Sequence, residues 1–99
     1  MKFGLKDSDL NYILSVLEQF PEIKNVLIFG SRAIGNFKNN SDIDICIQGK
    51  NIDIDTLSSL KSELEDKGPI PYQFDIVNYK NITVAEFREH IDKFGISIL

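Results

Sequence analysis

An α/β fold around a three-stranded mixed sheet is what this sequence predicts, and three observations lead there. Segments with helical apolar spacing alternate with short apolar runs of strand length. The links between those runs differ in length, so the strands do not all pair in one direction. One of the runs, DIDICIQG, carries aspartates at alternate positions, so it has one apolar and one acidic face.

Each element can be justified in chain order. In DSDLNYILSVLEQF, Leu10, Ile13, Leu14 and Leu17 recur at helical spacing, with Asp7 or Ser8 as the expected N-cap and Pro21 beyond the end. NVLIFG is apolar on both faces and predicts a covered strand. Ser31 to Gly35 can hold one helical turn, and the polar FKNNS that follows is a loop. DIDICIQG is the second strand and ends at Gly49. The next helix has Ile54, Leu57, Leu60 and Leu64 on one side and Gly68 as its stop. PYQFDIVNY is the third strand. In the last helix Thr83 and Glu86 have capping-box spacing, and Val84, Phe87, Ile91 and Phe94 form the stripe before Gly95.

The connection of about a dozen residues between strands one and two is short for a crossover, which predicts an antiparallel pair. A full helix joins strands two and three, which predicts a parallel pair. This order brings Ser31 beside Asp42. If the apolar faces pack on the helices, then Asp42, Asp44 and Asp75 meet on the opposite face.

At 99 residues, with 42% hydrophobic and 26% charged, the chain has the size and composition of one folded domain, 1–99, and not of a disordered segment. No apolar run is long enough to cross a bilayer, and MKFGLKDSD lacks the apolar stretch of a secretory signal. The single cysteine, Cys46, cannot form an internal disulfide; a cytoplasmic location and no membrane partner are expected. The net charge is −4 and no Lys/Arg block occurs, which argues against nucleic acid as a direct partner.

Two carboxylates on one strand face lie about 6–7 Å apart at Cα and repel unless a lysine, a metal ion or water intervenes. Aspartate is depleted in strands, so Asp42, Asp44 and Asp75 together favour function over a solvent-exposed face. Three carboxylates supply the hard oxygen ligands that Mg²⁺ takes together with substrate phosphates. Gly30-Ser31 precedes a helical turn whose free N–H groups can receive a phosphate, although Ser31 also suits a helix N-cap. Arg32 reads equally as a surface residue or a phosphate contact. His90 and Cys46 read as packing residues, and Lys38, Lys80, Arg88 and Lys93 as solvated charges.

Gly30-Ser31, ten intervening residues, Asp42-Ile43-Asp44, and a further acidic strand residue at Asp75 form a pattern. It resembles the nucleotidyltransferase superfamily of DNA polymerase beta, and most closely its minimal nucleotidyltransferases, small prokaryotic proteins encoded beside a HEPN-domain partner. The resemblance implies a polymerase beta palm-like nucleotidyltransferase fold. It makes Gly30, Ser31 and Arg32 the nucleotide-binding residues, and Asp42, Asp44 and Asp75 both catalytic and metal-binding. Two Mg²⁺ ions, or Mn²⁺, and ATP as substrate are implied as well. So is attack of a hydroxyl on the α-phosphorus, with AMP passing to a tyrosine of the helical HEPN toxin, which would make this chain the antitoxin. Many members carry a second arginine where this chain has Ile34. A second class of function stands beside the enzyme: an antitoxin that masks its partner without catalysis.

Overall fold

The computed structural model describes residues 2–99. Its elements in order are α1 (Asp7–Leu17), β1 (Ile23–Phe29), α2 (Gly30–Ile34), β2 (Ile43–Gly49), α3 (Ile54–Glu65), β3 (Phe74–Asn78), a 3₁₀ turn (Tyr79–Asn81), α4 (Ala85–Phe94) and β4 (Ile96–Ser97). The sheet order is β3-β2-β1-β4. β1 and β2 are antiparallel and β2 and β3 parallel, as the two connection lengths require.

The expectation of three strands is corrected to four. β4 pairs antiparallel with β1 through Leu27↔Ser97 and Ile28↔Ile96. Two residues are too few to show an alternating pattern in sequence. The strand is held by more than its ladder: Ser97 Oγ donates to Asn25 Oδ1 at 2.8 Å, and Asn25 Nδ2 donates to Gln48 Oε1 at 2.9 Å. A polar row thus crosses β4, β1 and β2.

The alternation in β2 divides the molecule. Ile43, Ile45 and Ile47 point to one face, where they join Ile13, Val16 and Leu17 of α1 and Leu60 and Leu64 of α3 in the main core. Cys46 points to the other face and packs with Phe29, Ile82 and Ile91, so α4 covers that side. Apolar burial in α1 falls on Ile13, Val16 and Leu17, with Leu10 and Leu14 at its margin.

The helix starts differ from the capping signals. α1 has Lys6 at its N-cap and α4 has Val84, neither with a side-chain cap, so the Thr83–Glu86 box is not formed. α3 is capped by Asp53, whose carboxylate accepts from Thr56 N at 2.8 Å and Thr56 Oγ1 at 3.0 Å. That cap turns Ile54 into solvent, 80% exposed, so Ile54 does not belong to the apolar stripe of α3. Val84 and Phe94 are likewise exposed, and α4 is anchored by Phe87 and Ile91.

Two substitutions separate core from cap. Ile45→Ala empties a fully buried site at the sheet centre and is expected to cost about 3–4 kcal/mol in denaturant unfolding. Ile54→Ala removes an exposed side chain and is expected to change stability by less than about 0.5 kcal/mol.

Candidate active site: an acidic sheet face beside a glycine turn

Asp44 and Asp75 are register partners across the parallel pair, so their side chains leave adjacent strands on the same face. Cα atoms of such partners lie about 4.8 Å apart. Asp42 stands just before β2, in phase with Asp44, and is exposed, as is Asp75; Asp44 is half-buried. The sequence-predicted convergence of three carboxylates is therefore present. Across the antiparallel pair Phe29 lies opposite Asp44, which sets Gly30 at the edge of the same acidic patch.

Glycine is required at position 30 for two independent reasons. Its φ is +72°, a left-handed conformation that costs an L-residue energy. A Cβ there would also overlap Asp44 Oδ2 and lie 3.1 Å from Asp44 Cγ. The Asp44 carboxylate thus rests directly against the backbone where β1 turns into α2. α2 is a single turn closed at Gly35, whose φ is +99° and whose N–H donates to Ser31 O at 2.9 Å.

Arg32, expected as a surface residue or a nucleotide contact, is buried with its guanidinium engaged by backbone carbonyls. It is only 2% exposed. Its Nε and Nη2 donate to Ser41 O at 3.2 and 2.7 Å, and its Nη1 donates to Phe3 O at 2.9 Å and, more weakly, to Gly4 O at 3.5 Å. The guanidinium lies 4.5 Å from the Tyr72 ring centre and 5.3 Å from that of Phe37. Few N–H groups remain for a phosphate. Arg32 positions the site: it ties the loop that enters β2 at Asp42 to the segment before α1.

Electrostatics mark Asp44 as the centre of the patch. Burial, then the charges of Asp75 and Asp42, push its carboxyl up to about 6, against smaller downward pulls from Arg32 and His90. Cys46, on the same face under α4, is pushed up to about 11 by burial and by Asp92, so its thiol is protonated and not a nucleophile at neutral pH. His90, expected as a packing residue, does pack: its ring meets Phe29 edge-on and lies tilted against Phe94.

Among the described residues the carboxylates do not close into a ready-made ligand cage. They line an open face, and their all-oxygen donor set suits a hard cation that keeps water and phosphate ligands. A cleft of about 1100 Å³ lies elsewhere and is bordered by Lys2, Lys6, Lys38, Phe37 and Tyr72, with none of the three aspartates. Size alone would choose that cleft; the convergence of like charges chooses the aspartate face.

A carboxylate pair in register, a third in phase, and a glycine turn pressed against them define a class of phosphoryl-handling α/β protein. Residues 11–99 match the family model described as polymerase beta, nucleotidyltransferase, and the chain belongs to that nucleotidyltransferase family. It is 29% identical over 98 residues to the probable protein adenylyltransferase MntA of Haemophilus influenzae, covering 98% of this chain and 84% of that protein. Its fold is similar to that of a minimal nucleotidyltransferase, with a TM-score of 0.76 at 22% identity over 99% of this chain and 97% of the other. It is also similar to a toxin–antitoxin structure with AMP-PNP (TM-score 0.74, 22% identity, 89% of this chain and 70% of that one). A further likeness is to a complex of tri-AMPylated Shewanella oneidensis HEPN toxin with its MNT antitoxin (TM-score 0.70, 18% identity, 94% and 71%). No helix among the described residues is long and apolar enough to cross a membrane.

Two outcomes follow from this geometry. Arg32→Lys keeps the charge but not the planar fork that serves several carbonyls, and is expected to destabilise the fold by about 2–4 kcal/mol in urea unfolding. For Asp44 the folded-state value of about 6 lies above the ordinary 3.8, so the folded chain holds this proton more tightly than the unfolded chain. Its charge therefore costs nothing below about pH 4, a growing amount as pH rises to about 6, and a constant amount above. Discounted for its partial exposure, Asp44→Asn is expected to stabilise the metal-free chain by about 1–2 kcal/mol at pH 7.5 and by nearly nothing at pH 4. Melting curves at the two pH values test this directly.

Proposed function

We propose that this chain transfers AMP from ATP to a tyrosine hydroxyl of a HEPN-domain toxin encoded beside it, and so acts as the antitoxin. One observation carries the reading: Asp44 meets Asp75 on one side and the Gly30 backbone on the other. A site for in-line phosphoryl transfer needs that sequence of features, with a carboxylate for the attacking hydroxyl, a bridging carboxylate, and backbone N–H groups for the phosphates.

In the proposed reaction the hydroxyl oxygen bonds to the α-phosphorus, the bond from that phosphorus to its bridging oxygen breaks, and pyrophosphate leaves. Asp75, exposed and at the far side of the patch, takes the hydroxyl proton. Gly30 lets the triphosphate approach the backbone, and Ser31 adds a hydroxyl donor to the N–H groups of the α2 turn. Asp42, Asp44 and Asp75 would hold two Mg²⁺ ions, or Mn²⁺, which when bound neutralise the charge of the attacking and leaving oxygens. The relatives point the same way, since one is named a probable protein adenylyltransferase and another structure contains an AMPylated HEPN toxin with its antitoxin.

The open carboxylate face has little wall with which to enclose a small acceptor, which supports a hydroxyl presented by another protein. The masking reading has its own observation: with Arg32 buried and apolar Ile34 exposed, α2 offers the triphosphate no cationic side chain.

Mixing the chain with its HEPN neighbour, ATP and Mg²⁺ separates the two. Intact-mass spectrometry is expected to show one or more AMP additions on a neighbour tyrosine, and Asp44→Asn is expected to slow the addition by about 100-fold or more. A neighbour that is bound and silenced without gaining mass would establish masking instead.

A further inference from the structure

α2 leaves the phosphates short of side-chain donors, and the element packed beside it supplies one. His90 of α4 is half-buried, its ring edge-on to Phe29 with centroids 6.3 Å apart and tilted on Phe94 at 5.3 Å. Phe29 is the residue before Gly30 and the register partner of Asp44, so the imidazole sits on the acidic face beside the glycine turn. The two aromatic rings fix its position, yet among the described residues no hydrogen bond engages its nitrogens and none of them is sealed from solvent. The neighbouring cations of α4 are turned to other tasks. Arg88 donates to Ile82 O at 2.6 Å and lies over Tyr79, and Lys93 lies over Phe94.

The sheet order gives this placement a direction. From β3 to β1 the face presents Asp75, then Asp44, then Gly30, and His90 stands over the β1 end. In an in-line displacement the attacking and leaving oxygens lie on opposite sides of the phosphorus. With the hydroxyl at Asp75, the leaving group is directed toward Gly30, Ser31 and His90.

We infer that His90 is a nucleotide-contact residue whose imidazole N–H donates a hydrogen bond to the β- or γ-phosphate, the part of ATP that departs as pyrophosphate. The assignment rests on the nucleotide-transfer reading above. It predicts a contact that ATP makes and AMP, which lacks those phosphates, does not.

The test uses His90→Phe, which keeps the aromatic packing and removes the donor, and His90→Gln, which restores an N–H. Calorimetry with Mg²⁺ is expected to show ATP binding weakened about tenfold in His90→Phe, the size of one lost phosphate hydrogen bond, and partly recovered in His90→Gln. AMP binding and the melting temperature stay near those of the parent chain. Unchanged ATP affinity in His90→Phe, or an equal loss for AMP, overturns the assignment. So does a loss that follows melting temperature and is not recovered by His90→Gln. A parent chain that binds no ATP with Mg²⁺ would overturn the nucleotide-transfer reading itself, whereas a parent that binds ATP as well as its variants do would remove His90 alone.

Discussion

A guanidinium taken out of water must find acceptors for its N–H groups, and in this chain those acceptors decide how three segments meet. Arg32 serves carbonyls at Phe3, Gly4 and Ser41 and lies over the Tyr72 ring. None of these partners is near it in sequence. By joining the segment before α1 to the loop before β2, it fixes where β2 begins, and hence which residues of that strand face β1. A buried positive charge with good partners is costly to disturb, because losing one partner leaves the charge behind. The same charge acts over distance, offsetting part of the repulsion that raises the Asp44 carboxyl.

The second constraint is the contact between Gly30 and Asp44. Sheet pairing brings the strand end within touching distance of the carboxylate, and the absence of a side chain at position 30 is what admits it. The acidic face is consequently a product of backbone register more than of side-chain packing. It remains open because α4, docked through Phe87 and Ile91, covers only the portion around Cys46. Chemistry and cover therefore divide one sheet face between them, two residues apart along β2.

Much of this arrangement is legible in the amino-acid sequence, and the parts that are not have physical reasons. The Ile43-Asp44-Ile45 alternation carries its own geometry, so the two faces of β2 follow from period, and the meeting of Asp44 with Asp75 follows from period together with the parallel pairing of β2 and β3. Link lengths set the strand directions for the same reason. The fate of Arg32 is hidden because its acceptors are backbone carbonyls, and any residue can provide those. Its flanking aromatics, Phe37 and Tyr72, are the one trace it leaves in the sequence. Ile54 misleads because helical spacing does not reveal which residue is the cap, and Asp53 takes that place. β4 is two residues long and exists through pairing with β1 and the Ser97–Asn25 bond, neither of which has a local pattern. His90 is legible as a residue that packs; what it packs beside is not.

Cys46 has a use that none of its neighbours share. It is the chain's single thiol, buried beneath α4 and protonated at neutral pH, so reagents that alkylate or oxidise sulfur do not reach it while the helix is seated. Lifting α4 would uncover it. The rate at which this sulfur becomes reactive is therefore a clock for the opening of that helix, read from the native chain with no label added. Because α4 also carries His90, the same clock would time any rearrangement of the acidic face when a partner protein settles on it.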